Sequence, residues 1–355
     1  MKLDAIRPLY DQPGPFASVY LYAGRSDASG AEEVALRWRE LRGHLAGKSD
    51  GASLDAIEER VTDPGEAAPG RALFATHGQV AHDEALPEPP RREIARWAAL
   101  PHLMPLLAQR GESVPHIRVI ADHTGADVIV AGRGAPRRTA VGEEQDWPLT
   151  KTGQGGWSQK RYERGVEETW ERNAMAVAEA VDEEVRRTGA ELVVVGGAPR
   201  SRALVCEHLG AAAAERVVMA EHGSRAEGAD PAAFEAAADA AVDAFVEGRR
   251  AELLNRYGVG PSSRGLDDTV AALRDGRVEV LLIADDQSAD GLLWIGEEGA
   301  QLALEAGHLR AYGVAEPVRE RADAALVRAA ATTDAELWFA GRDALGTDVA
   351  ALLRY

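Results

Sequence analysis

His116-Ile117-Arg118-Val119-Ile120-Ala121, then Thr124-Gly125, then Ala126-Asp127-Val128-Ile129-Val130-Ala131, are two apolar runs joined by a glycine-containing turn. The pattern predicts a β-hairpin, and Arg138-Thr139-Ala140-Val141 reads as a third strand. Downstream, Val166, Trp170, Val177, Val181 and Val185 recur at helical spacing and stop at Gly189, which predicts one long helix. Glu191 to Val195 is a buried-type strand, followed by Gly196-Gly197 and a helix through Leu204 and Leu209. Val217-Val218-Met219 is a further strand, and Asp230-Pro231 opens another long helix with proline at its first position. A hairpin followed by alternating helix and strand is a mixed α/β layer, compatible with an RNase H-like sheet.

Before this segment, Ala17 to Tyr22 reads as a strand and Ala31 to Ala46 as a helix with Val34, Trp38, Leu41 and Leu45 on one face. Ser53 is placed to cap a second helix, Arg71 to Ala75 is a short strand, and Leu86 to Pro90 is extended loop. After it, Leu266, Val270 and Leu273 mark a short helix and Val278 to Ile283 a strand. Val318 to Ala331 reads as a helix, Glu336 to Ala340 as a strand, and Leu345 to Leu352 as a closing helix. The expected architecture is α/β (mixed α+β) in three domains. They are an N-terminal α/β domain (1–112), an RNase H-like middle domain (113–250) and an αβα-sandwich C-terminal domain (251–355).

The chain has 355 residues and a formal net charge of −18, with 45% hydrophobic and 28% charged residues. That length and balance describe an ordinary globular chain able to bury large cores. Cys206 is the single cysteine, which excludes an internal disulfide framework and a Cys-based zinc site. No apolar run approaches the roughly 20 residues needed to span a bilayer, and Met1 to Tyr10 lacks the apolar core of a signal peptide. A cytoplasmic monomer with no membrane partner is expected. The acidity argues against general affinity for polyanions, so any nucleic-acid contact has to come from a local basic segment.

Most chemical candidates read more simply as structure. Gly47-Lys48-Ser49 resembles the end of a phosphate-binding loop, but Arg42 stands where that motif needs glycine, and a helix precedes it. A solvated interhelical turn is the reading. Gly196-Gly197 could cradle a phosphate, although a tight strand-to-helix turn explains it as well. His77 and His82 lack ligand companions, and Asp285, Asp286 and Asp290 lack the remaining pattern of a calcium loop. No metal and no cofactor are expected. Cys206 on an apolar helix face reads as a buried thiol. Asp122 and Asp127 alone do not make the carboxylate cluster of a metal nuclease.

One segment differs. Lys151-Thr152-Gly153-Gln154-Gly155-Gly156-Trp157-Ser158-Gln159-Lys160-Arg161-Tyr162-Glu163-Arg164 holds four basic residues against one acid, a local charge of +3 in an acidic chain. It reads as a long loop (151–164) leading into the helix. Lys160, Arg161 and Arg164 can pair with phosphates, Trp157 and Tyr162 offer stacking faces, and glycines allow close backbone approach.

Here the chain resembles the archaeo-eukaryotic class-I release factor and Pelota superfamily, whose Gly-Gly-Gln loop continues with Ser, a spacer and Arg-Phe or Arg-Tyr. Gly155-Gly156-Trp157-Ser158-Gln159-Lys160-Arg161-Tyr162 is similar to that frame, with Trp157 at the glutamine position. Gly265 to Leu282 resembles the family's helix–strand opening of the third domain, and Gly346 to Tyr355 its closing helix. The combination looks like the bacterial branch that includes the hibernation factor Balon and its actinobacterial relatives.

The resemblance implies a factor for the A site of the 70S ribosome, contacting rRNA or tRNA through Gly155, Gly156, Trp157, Ser158, Lys160, Arg161, Tyr162 and Arg164. Elongation factor Tu or a related GTPase is the implied delivery partner. An indole has one N–H donor and no acceptor, so Trp157 cannot replace a carboxamide that positions water. The expectation is therefore a non-catalytic hibernation or protection factor. The alternative is a peptidyl-tRNA hydrolase in ribosome rescue, using Gln159 in a Gly-x-x-Gln arrangement, or Gln154. The stop-codon motif of the N-terminal domain is missing, and Lys48 and Ser49 are its nearest remnant and the decoding-centre candidates.

Overall fold

The computed structural model describes residues 1–24, 30–63, 68–86, 88–110, 114–132, 136–142, 156–284 and 291–355, with backbone only at 156–164 and 166. The chain divides into two compact units, one from Met1–Glu112 with Arg250–Tyr355, the other Ser113–Arg249.

In the first unit, β1 (Phe16–Tyr22) alternates between two cores. Ala17, Val19 and Leu21 face the stripe Val34, Trp38, Leu41 and Leu45 of α1 (Gly30–Leu45) and Leu54, Ile57 and Val61 of α2 (Gly51–Thr62). Asp50, not Ser53, caps α2: its carboxylate accepts the Ser53 N–H at 2.7 Å. Ser53 is buried, and its hydroxyl instead accepts the Gly78 N–H. β2 (Gly70–Thr76), β3 (Gln79–Leu86) and β4 (Ile94–Ala98) complete an antiparallel sheet ordered β3-β2-β1-β4, and α3 (Met104–Arg110) follows. Neither β3, β4 nor α3 is visible in the apolar pattern. β3 is an edge strand whose Asp83 and Glu84 pair with Arg71 and Arg110, so its face is charged rather than apolar.

The second unit holds the hairpin. β5 (His116–Asp122) pairs antiparallel with β6 (Gly125–Ala131), and β6 with β7 (Arg137–Val141). The helix expected from Val166 begins at Gly156: α4 (Gly156–Thr188) is 33 residues long. Its buried stripe is Ala174, Val177, Ala178, Val181 and Val185, all in the C-terminal part. β8 (Leu192–Gly197) lies parallel to β5, α5 (Pro199–His208) and α6 (Ala211–Ala214) follow, and β9 (Val217–Met219) runs parallel to β8. The sheet order β7-β6-β5-β8-β9, antiparallel then parallel, is that of an RNase H-like sheet. Gly196 and Gly197 belong to β8, opposite Ile120 and Ala121. At Gly197, with φ +113°, an added Cβ would stand 1.9 Å from the Ala121 carbonyl oxygen. The Gly197 and Ala198 N–H groups donate to His222 and Ala121 carbonyls, so this turn has spent its donors on its own backbone. Cys206 is half-buried against this core, and burial raises its thiol pKa. α7 (Ala232–Val259) leads out of the unit, its start capped by Asp230 on the Ala232 N–H.

The remainder of the first unit contains β10 (Ser262–Arg264), α8 (Leu266–Arg274), β11 (Val278–Ala284), β12 (Leu292–Ile295), β13 (Leu302–Ala303), α9 (Ala306–Ala311), β14 (Val318–Arg321), α10 (Ala322–Thr332), β15 (Glu336–Ala340), α11 (Arg342–Leu345) and β16 (Val349–Leu353). They form two sheets, β10-β16-β11-β15 and β13-β12-β14. Two expectations are corrected. Val318–Arg321 is a strand before α10. The closing helix is a single turn followed by β16, which inserts between β10 and β11 with Val349, Ala350, Ala351 and Leu352 buried. A five-residue apolar run buried on both faces carries no period that separates strand from helix. One core joins Leu3, Ile6, Tyr20, Phe74, Leu103 and Leu106 to Val270, Leu281, Leu326 and Leu337. Asp285, Asp286 and Asp290 lie outside the described residues.

Candidate functional site

The cationic segment divides at the start of α4. Gln154 and Gly155 lie outside the described residues. Gly156, Trp157, Ser158, Gln159, Lys160, Arg161, Tyr162 and Arg164 occupy its opening turns, and of these residues the backbone alone is described. What reads as loop over 156–164 is therefore helix. The glycines and charges of this stretch hide the helix start from a sequence reading. The first turn of α4 carries no acidic residue. A helix start presents unpaired N–H groups and about half a positive charge, which suits a phosphate and is strengthened by the basic residues that follow.

The described part of α4 shows how this start is attached. Trp170 lies one turn before Ala174, the first buried residue of the stripe. The Arg200 guanidinium, in the first turn of α5, sits 5.0 Å from the Trp170 ring centroid and also pairs with Glu167 at 2.8 Å. His123, on the β5–β6 turn, meets the same ring at 5.8 Å between centroids with the planes tilted by 53°, and its carbonyl accepts from Asn173 at 3.0 Å. In the sequence alone Trp170 reads as a helix marker. Its aromatic size at the end of an aliphatic stripe was the available signal, whereas Arg200 and His123 are distant in sequence.

Asp122 and Asp127 face Arg225. Asp122 accepts from Arg225 at 2.9 Å and from the Thr124 N–H and hydroxyl, while Asp127 lies 3.4 Å from Arg225 and pairs with Arg138 at 2.7 Å. Burial raises the Asp122 pKa, but the bonds from Thr124 and Arg225 outweigh it and hold it below the usual value. Both carboxylates are engaged by guanidinium groups, which is the arrangement of a structural ion network. No cluster of potential metal ligands occurs among the described residues. His77 and His82 bond to the Pro13 carbonyl and to Glu84, respectively.

Lys48 and Ser49 lie on the α1–α2 turn. Lys48 is exposed, and the Ser49 hydroxyl donates to the Leu45 carbonyl at 3.0 Å, closing the end of α1.

A profile of "bacterial archaeo-eukaryotic release factor family 2" matches residues 115–260. Over 371 residues the chain is 31% identical to uncharacterized protein Rv2629 of Mycobacterium tuberculosis H37Rv, covering 100% of this chain and 97% of that one. The counterpart in strain CDC 1551 matches equally. The chain belongs to the bacterial archaeo-eukaryotic release factors. Solved structures similar to this family member include the archaeal translation termination factor aRF1, at 15% identity, 99% and 96% coverage and a TM-score of 0.23. Yeast Dom34 matches at 9% identity, 81% and 80% coverage and 0.41. Archaeal Pelota in a ribosome-bound assembly with ABCE1 matches at 14%, 99% and 94%, and 0.39. Among the described residues no helix of this release factor relative is long and apolar enough to cross a membrane.

Proposed function

We propose that the protein is a ribosome-binding factor of the release factor and Pelota type that enters the 70S A site and protects idle ribosomes without hydrolysing peptidyl-tRNA. The observation that carries the reading is Trp157 in the glutamine position of a Gly-Gly-x-Ser frame, at the acid-free start of α4. Family membership and the local charge of +3 support it. On this reading Gly155 to Arg164 face the peptidyl-transferase centre and contact rRNA or tRNA, and the exposed Lys48 turn faces the decoding centre. A translational GTPase such as elongation factor Tu delivers the protein. Replacing Gly155 and Gly156 with leucine should weaken co-sedimentation with vacant 70S particles at least tenfold; unchanged binding refutes the reading.

Gln159 favours a second reading, hydrolysis in ribosome rescue. Release of a labelled nascent chain from stalled ribosomes by the wild type, lost in Gln159→Ala, would establish it. Absence of release by the wild type leaves the binding role.

A further inference from the structure

We propose that Trp170, in contact with both His123 and Arg200, is the positioning residue that orients the cationic start of α4; its use on the ribosome rests on the reading above. Among the described side chains of α4 the first buried one is Ala174. At 1.5 Å per residue the stretch from Gly156 to Trp170 is about 21 Å long. Gly165, Glu167 and Glu168 within it are exposed. At Trp170 lateral support arrives from two separate elements. Arg200 covers the ring and reaches one turn further out to Glu167, while His123 meets the ring and its carbonyl fixes Asn173. Three consecutive turns of α4 are thereby tied to α5 and to the β5–β6 hairpin.

Between clamp and tip lies Gly165. An added Cβ there would meet nothing within 4 Å, so packing does not demand glycine. Glycine inside a helix loosens it relative to alanine. The arrangement is a fixed point at Trp170 and a pliant joint at Gly165, with the segment of +3 charge beyond the joint.

The test is amide hydrogen exchange on the full-length protein, followed by 70S co-sedimentation of the same samples. Trp170→Ala should speed exchange over 160–169 about five- to tenfold while amides of β5 and β8 stay protected, because an aromatic–cation contact at a partly exposed site supports a local opening of that scale. Trp170→Phe should recover most of the protection, and Gly165→Ala should increase it. Arg200→Ala, at a side chain 61% exposed, removes the cover without touching the core and should give about half the logarithmic effect. Unchanged exchange over 160–169 in both Trp170→Ala and Arg200→Ala overturns the proposal whatever the ribosome result. If the wild type fails to bind 70S particles, the ribosomal reading falls and the exchange result still decides the clamp. If the wild type binds and Trp170→Ala binds equally despite faster exchange, the clamp has no part in positioning the tip.

Discussion

His102 offers a titration worked directly from the structure. It is 5% exposed, its Nδ1 has no hydrogen-bond partner among the described residues, and that nitrogen lies 3.9 Å from Asp323. Burial pushes its pKa down from 6.5 to about 4; Asp323 opposes the shift, whereas Arg321, Arg96 and Arg92 assist it. Between those values the unfolded chain takes up a proton that the folded chain refuses. Stability from this residue is complete above pH 6.5 and is lost as pH falls toward 4. The separation of the two values corresponds to about 3 kcal/mol in total, and to about 2 kcal/mol by pH 5. His102→Phe keeps a ring of similar shape beside Tyr20 and removes the proton site. Asp323 retains Arg321 at 2.8 Å and the Ala324 N–H at 2.7 Å, so the variant should lie within about 1 kcal/mol of wild type at pH 7.5. By pH 5 the variant should become the more stable protein. Parallel urea unfolding of both proteins at pH 7.5, 6 and 5, read by tryptophan fluorescence, gives the difference with other titrations cancelled. Stability profiles that run parallel from pH 7.5 to 5 would refute the assignment of a buried neutral imidazole.

Other consequences follow from single contacts. Gly197→Ala places a Cβ 1.9 Å from the Ala121 carbonyl at φ +113° and should destabilise the 113–249 unit by about 2–4 kcal/mol, seen as a lower melting transition. Arg96→Met removes the guanidinium bonded at 2.5 Å to Glu320, whose side chain is 2% exposed, and should cost about 2–3 kcal/mol. Adding Glu320→Gln in that background should restore part of the loss, because the stranded charge disappears. Co-sedimentation with 70S particles should weaken with salt, and Lys160→Gln or Arg161→Gln should each lower the log–log slope by about one if each contacts a phosphate. Slopes equal to wild type in both would remove these residues from the interface.

The sequence carries the middle unit well because its strands are apolar and its helices periodic. Val193, Val194 and Val195 are buried on both faces in a parallel strand, and the register of β5 against β6 follows the Thr124-Gly125 turn. The first and last segments are less legible. β3 spends its alternation on charge pairs, and β14 carries the buried Glu320 that a hydropathy reading discards. β16 is the plainest failure. Val349 to Leu353 suits a helix or a strand, and only its slot between β10 and β11 decides. At the candidate site, composition located the cationic stretch, but its secondary structure was hidden because Gly156 to Arg164 has no apolar stripe. The Trp170 clamp joins residues from three elements and has no local signature.

An acidic chain that binds RNA must keep its own carboxylates from cancelling the attraction. The net charge is −18, and Glu167, Glu168 and Glu171 stand on the same helix as the basic tip. From Gly156 to Glu167 the helix rises about 16 Å, roughly twice the screening length of about 8 Å at physiological ionic strength. Only Glu163 intervenes in that stretch, and Arg200 already pairs with Glu167. The positive dipole end of α4 at Gly156 is therefore separated from Glu167, Glu168 and Glu171, whereas Arg164 stands within about one turn of Glu167 and Glu168. The length of helix between Gly156 and Glu167 sets that separation. On the proposed reading, the early start of α4 is thus the feature that lets an acidic protein carry an RNA-directed tip.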